Sequence, residues 1–259
     1  MRRWQVWVSA IVTIVWACQA IASAAPDPPK RTSPTLPNGP TSAVPFSESP
    51  KTDDDPSAPP ERSAAEHGDA DAQYAIGTRY SNGDGVPKDD TQAVVWWRRA
   101  AEQRLPEAEV ALAEAYHQGS GVTKDFDRAL AWFRQAAEQG DAQAENNLGF
   151  MYQNGEGVPR DPAAAVRWWR RAAEGGNVSA LYNLAVAYRN GDGVEHDNVE
   201  AFKWVQIAED HAAEARREKY AILHTTLAAE LTSTDIVDAR ERIRVWNETF
   251  GRNLPNPKP

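Results

Sequence analysis

The chain returns to itself every 36 residues, four times without an insertion, and no other feature restricts its fold as much. Aligned on Ala72, Ala108, Ala144 and Ala180, the copies put Tyr80, Tyr116, Tyr152 and Tyr188 in one column. Gly83, Gly119, Gly155 and Gly191 form the next, followed two places on by Gly85, Gly121, Gly157 and Gly193. Asp89, Asp125, Asp161 and Asp197 come later, and Trp96, Trp132, Trp168 and Trp204 close the unit. A period of this length marks stacked supersecondary units, none able to bury its apolar face alone. Stacks of this kind offer extended binding surfaces, which turns the functional question toward recognition rather than catalysis.

Each unit reads as two helices. The first spans about residues 70 to 81 in copy one, with Asp69, Asp141 and Asn177 as N-caps and Pro106 at the first helical position of copy two. Its repeated positions 72, 76, 77 and 80 form one stripe on a 3.6-residue period. The column Gly77, Ala113, Gly149 and Ala185 is small, which predicts that another backbone comes close there. Asn82-Gly83-Asp84-Gly85-Val86 and its copies end the first helix through a left-handed glycine. Asp89, Asp125, Asp161 and Asp197 then cap the second helix, whose Ala93, Trp96, Trp97 and Ala100 alternate large and small for interdigitation. These tryptophans are expected in the core. Arg98 and Arg170 each precede a glutamate by four residues (Glu102, Glu174), the pattern of a solvated, ion-paired helix face.

The recurring residues Ala-x3-Leu-Gly-x2-Tyr-x2-Gly-x-Gly-Val-x2-Asp-x3-Ala-x2-Trp-x3-Ala-Ala resemble the Sel1-like repeat, a relative of the tetratricopeptide repeat with a longer inter-helix turn. Copy three carries the pattern as Ala144, Leu148, Gly149, Tyr152, Gly155, Gly157, Val158, Asp161, Ala165, Trp168, Ala172 and Ala173. Ala113 in copy two and Glu209 in copy four depart from it. The resemblance implies an all-α, α/α solenoid, a right-handed superhelix of antiparallel helix pairs. Ala64-Ala65-Glu66-His67-Gly68 matches the end of a second helix, so the array opens on a half unit. After residue 212 the period fails. One longer helix is expected over 211–231, then a last helix over 235–248 behind a Thr232/Asp235 capping box, docking through Ile236, Ile243 and Trp246.

The ends differ from the array. Arg2-Arg3, an apolar run from Val6 to Ala17 and Ala22-Ser23-Ala24 make the pattern of a secretory signal peptide over residues 1–24, too short to span a membrane. Cys18, the single cysteine, lies inside it and half resembles a lipoprotein cleavage box spoiled by Trp16. Cleavage after Ala24 leaves a chain without disulfides and moves the formal net charge from −9 to −11, which disfavours nucleic acid. Residues 25–62 hold eleven of the eighteen prolines and almost nothing apolar, the composition of a disordered linker. The organisation is therefore signal 1–24, linker 25–62, array 63–212 (repeats about 69–104, 105–140, 141–176 and 177–212), capping helices 213–250 and a disordered tail 251–259.

Little in the sequence points to chemistry. His67, His117, His196, His211 and His224 lack metal-ligand spacing, and the Gly-Asp-Gly turns lack the spaced carboxylates of a calcium loop. Some cysteine-rich relatives in the family are described as penicillin-binding or β-lactamase-like. This chain lacks their paired cysteines, and no serine has lysine three residues on. No cofactor, metal or catalytic residue is assigned. Variable columns on the first helix are free to carry specificity instead: Tyr74, Val110, Asn146 and Tyr182; Thr78, Glu114, Phe150 and Val186; Ser81, His117, Gln153 and Arg189. The tetratricopeptide resemblance places them on the concave face. Tyr74 and Tyr182 fit either partner binding or packing between units. The expected protein is a monomeric, exported, non-enzymatic adaptor of the bacterial envelope with a protein or peptide partner. A cell-wall or β-lactam-directed hydrolase and a secreted host-protein-binding factor are the alternatives.

Overall fold

The computed structural model describes residues 61–255, so the signal, Cys18 and nearly all of the linker lie outside the described residues. A short helix α1 (Arg62–Glu66) leads into four helix pairs: α2 (Ala70–Asn82) and α3 (Asp90–Glu102), α4 (Pro106–Gln118) and α5 (Phe126–Glu138), α6 (Ala142–Asn154) and α7 (Pro162–Glu174), α8 (Val178–Asn190) and α9 (Asn198–Asp210). The helices α10 (Glu214–Glu230) and α11 (Ser233–Phe250) follow, then a 3-10 turn over Gly251–Asn253. Each of the eight paired helices is 13 residues long, and the described residues form no strand. The result is an all-α solenoid.

The capping chemistry is that of the sequence. Asp69, Asp141 and Asn177 accept from the backbone amides of Ala72, Ala144 and Ala180, and the aspartate of every inter-helix turn caps the second helix. Each of those aspartates also donates its own amide to the carbonyl of the repeated tyrosine, 2.8–3.1 Å away. That bond closes the turn and is a physical reason for the constant Tyr-to-Asp interval.

The small column works differently from the sequence expectation. Its main neighbour is an indole ring rather than a second backbone. A methyl group on Gly77 would lie 2.5 Å from Trp97 Cδ1, and one on Gly149 would overlap the Trp169 ring. Where the second helix offers Trp97 or Trp169 the column is glycine; where it offers Phe133 or Val205 the column is Ala113 or Ala185. The tryptophan column needs a correction too. Trp132 and Trp168 are only half-buried, and Phe133 and Trp169, one residue on, fill the core. Arg171 lies over Trp168, 4.8 Å from the ring centroid.

Arg98 and Arg170 do not spend their donors on Glu102 and Glu174. Arg98, Arg134 and Arg170 each donate to the hydroxyl of the tyrosine eighteen residues on, Tyr116, Tyr152 and Tyr188, at 2.9, 2.9 and 2.7 Å. This bond joins the second helix of one unit to the first helix of the next. A second column is buried and polar, Gln73, Glu109 and Glu145, and it ties the first helix of each unit to the end of that unit's own second helix. Gln103 donates to Gln73 and Gln139 to Glu109, both at 2.8 Å, and Arg171 pairs with Glu145.

Glu109 is 0% exposed and its Oε1 has no hydrogen-bond partner; Arg104 Nε stands 3.7 Å away. Burial pushes its carboxyl above the usual carboxylate range, opposed by Arg104 and by the Gln139 bond. Gln73, its counterpart, donates its amide to the Ala65 carbonyl at 3.0 Å. Glu109→Gln places the same donor beside Ala101 and is expected to raise stability at neutral pH by about 1 kcal/mol. A carboxyl whose pKa is raised on folding costs stability above that folded pKa and stops costing it as pH falls toward the unfolded value. The gain should therefore shrink on acidification through that window. Urea titrations of both proteins at several pH values check this, and a gain independent of pH would contradict it.

At the C-terminal end the long helix starts at Glu214 rather than 211, because α9 runs to Asp210 and a turn intervenes. The Thr232/Asp235 capping box forms, and α11 docks through Trp246, edge-on to Trp204 at 5.6 Å between centroids, with Ile243 beside it. Residues 251–255 are not the disordered tail expected from the sequence. Leu254 is buried, Asn253 Nδ2 donates to the Glu174 carbonyl at 2.7 Å, and His211 Nδ1 lies 2.7 Å from the Pro255 carbonyl oxygen.

Candidate functional site

The twelve variable-column residues singled out from the sequence sit on α2, α4, α6 and α8, the row of first helices, but on different sides of it. Val110 (8% exposed) and Asn146 (3%) are buried between units and offer no accessible surface. Asn146 accepts from Asn183 Nδ2 at 2.9 Å, which ties α6 to α8. Tyr182 stacks on Tyr220 of α10 at 4.7 Å, Lys219 lies over its ring, and burial pushes its hydroxyl above the ordinary tyrosine range. Tyr74 is half-buried against the core of the neighbouring unit. For this column the packing role wins, because it faces the next first helix.

The column at 117 and 153 reaches the turn of the following unit instead. His117 Nε2 lies 2.7 Å from Glu156 Oε2, with Phe126 beside its ring at 5.2 Å. Gln153 donates to Asp192, which also accepts from Arg160 at 3.0 Å. Arg189 pairs with Glu230 of α10 at 3.6 Å. These contacts leave the side chains half-exposed, so they form a polar margin that is ordered but reachable.

Between these columns runs the accessible one. Glu114 accepts from Asn147 at 3.3 Å, Phe150 is 42% exposed with its edge on Trp169, and Val186 is half-exposed. The column goes on to Ile222, 64% exposed on α10, which the sequence reading did not include. Counting 36 onward from Val186 reaches it. Tyr220, Leu223 and His224 likewise stand where Leu184, Ala187 and Tyr188 would recur, so α10 takes the place of a fifth first helix although Arg216 breaks the pattern. Phe150, Val186 and Ile222 thus occupy the same repeat position on α6, α8 and α10, three successive members of the first-helix row. Among the described residues no group of three or more His, Cys, Asp or Glu could hold a metal ion. No helix there is long and apolar enough to cross a membrane.

A stack of antiparallel helix pairs with constant packing columns and a variable exposed face defines the class: a helical repeat scaffold. The Sel1 repeat family model matches residues 70–105, 106–141, 142–177 and 178–211, more than half of the sequence, and the chain belongs to that family. Such repeats generally mediate protein–protein interaction. A Sel1 repeat protein from Oxalobacter formigenes is 32% identical, with a TM-score of 0.56, over 64% of this chain and 74% of that one. A protective antigen present in uropathogenic Escherichia coli strains, displaying an SLR fold, is 34% identical with a TM-score of 0.56. That match covers 73% of this chain, which spans only 43% of the antigen's own length. No curated protein matches the chain.

Proposed function

We propose that this chain is a non-enzymatic adaptor that takes a protein or peptide partner along its first-helix row, acting after export into the envelope of a Gram-negative bacterium. The observation that carries the reading is the line Phe150, Val186 and Ile222. It is apolar and accessible at positions where the repeat demands nothing, since copies one and two hold Thr78 and Glu114 there. Exposed large apolar groups in register across neighbouring elements are a feature of binding surfaces. His117, Gln153 and Arg189 supply a polar margin with positions already set by Glu156, Asp192 and Glu230. Export rests on the N-terminal pattern from Arg2 to Ala24. The relative described as a protective antigen adds support for work outside the cytoplasm.

Crosslinking in native envelopes followed by mass spectrometry should recover a partner with the wild-type chain. The Phe150→Ala/Ile222→Ala variant is expected to bind that partner at least tenfold more weakly, as truncated interface anchors do. Its melting temperature should change little, because both side chains are already exposed. Equal binding by the variant would move the site off this face. Turnover of a chromogenic β-lactam by the purified chain would overturn the adaptor reading altogether.

A further inference from the structure

A second surface lies on the other helix of the pair. An open cleft of about 410 Å³ runs between α7 and the turn that opens the fourth unit's second helix. Its floor is Ala163, Val166, Gly193 and Val194. Its rim is basic: Arg167, Arg170 and Arg171, at i, i+3 and i+4, share one face of α7. Packing between units makes a cleft at this place whatever the rim residues are, because Gly193 sits against the Pro162 carbonyl as Gly157 sits against that of Phe126. The rim chemistry is peculiar to the third unit. The same three positions read Val95, Arg98 and Arg99 in the first, Ala131, Arg134 and Gln135 in the second, and Lys203, Gln206 and Ile207 in the fourth.

The three guanidinium groups are not equally neutralised. Arg171 is matched by Glu145 at 2.8 Å and lies over Trp168. Arg170 donates to the Tyr188 hydroxyl, an uncharged partner that orients the group and leaves its charge in place. Arg167 has a side chain 70% exposed and its nearest paired carboxylate, Asp161, at 3.9 Å. Glu174, at the end of α7, is the one carboxylate in the lining. Burial pushes its pKa up while Arg170 and Arg171 pull it back down. One oriented cation, Arg170, and one exposed and loosely paired cation, Arg167, over an apolar floor make a local exception on a chain of formal net charge −9.

We propose that this cleft docks a peptide segment in which acidic and apolar residues alternate. Carboxylates would be held by Arg167 and Arg170, and apolar side chains would rest on Ala163 and Val194, above the buried Val166. The charge complementarity selects the carboxylates and the floor selects their neighbours. Neither residue set belongs to the first-helix row, so this surface stands or falls separately from the adaptor site.

The test uses the full chain and two acetylated, amidated pentapeptides, Leu-Glu-Leu-Glu-Leu and its Leu-Gln-Leu-Gln-Leu counterpart, followed by isothermal titration. The acidic peptide is expected to bind at least ten times more tightly than the neutral one, and less tightly as salt is raised. Arg167→Gln should lose about tenfold in affinity for it. Arg98→Gln breaks the equivalent tyrosine bond in the first unit without touching the cleft, and should leave affinity unchanged. Phe150→Ala/Ile222→Ala should also bind the peptide like the wild type. Equal binding of the two peptides, an Arg167→Gln variant that binds normally, or no binding at millimolar peptide would each overturn the proposal. So would inorganic polyphosphate bound more tightly with the same arginine dependence, which would make this a phosphate site.

Discussion

Alanine at Gly121 is expected to lower the stability of the array by about 3 kcal/mol or more, and alanine at Gly85 by only about 1 kcal/mol. Both glycines occupy the same place in the turn and both have positive φ, 70° and 72°. Each alanine would therefore carry the cost of a left-handed L residue. Only Gly121 also has a neighbour: a methyl group there would overlap the carbonyl of Asp90 at the start of α3, whereas at Gly85 the nearest atom is Arg79 Nη1 at 3.7 Å. The difference arises because the first full unit has no complete unit before it. The obstruction is backbone, held by a capped helix, so it cannot swing aside as a side chain would. Urea unfolding of the two variants measures the difference, and hydrogen exchange should show loosening concentrated where α3 meets the second unit. Equal losses would mean that the turn's conformation, and not the contact between units, is what the second glycine serves.

The second large effect concerns Gly149. Gly149→Ala is expected to cost about 2 kcal/mol and Gly149→Leu more, because the Trp169 indole already occupies the space a side chain needs. The second unit contains the compensated pair, Ala113 with Phe133. Gly149→Ala should therefore cost less in a Trp169→Phe background than it does in the wild type. A double-mutant cycle by thermal or urea unfolding reads the coupling. Additive losses would show that glycine is kept for another reason.

The 36-residue register, helix boundaries, aspartate caps and glycine turns were legible in the sequence because they rest on local rules. A cap bonds two or three residues away, and a left-handed glycine needs no partner. The division between packing columns and variable columns was legible for a related reason, since repetition within one chain marks what the fold requires. The small column at Gly77, Ala113, Gly149 and Ala185 was legible too, but the sequence reading of it as a backbone contact misses the indole rings of Trp97 and Trp169. Volume swaps between two helices can be counted in a sequence, but which atoms fill the gap cannot.

The tertiary structure alone decided which variable positions remain accessible. Val110, Asn146 and Tyr182 lie on the first helix just as Phe150 does, yet a neighbouring unit covers the former and not the latter. That difference depends on the angle at which successive units stack. Pairings at 18 residues (Arg170 with Tyr188), 39 residues (His117 with Glu156) and 79 residues (Asn253 with the Glu174 carbonyl) likewise needed the stack, because they join groups that no helical period brings together. Local bonding rules fixed the units and their caps. The cleft beside Arg167 and the line from Phe150 to Ile222 exist only because rigid units meet at a set distance and leave some of their side chains uncovered.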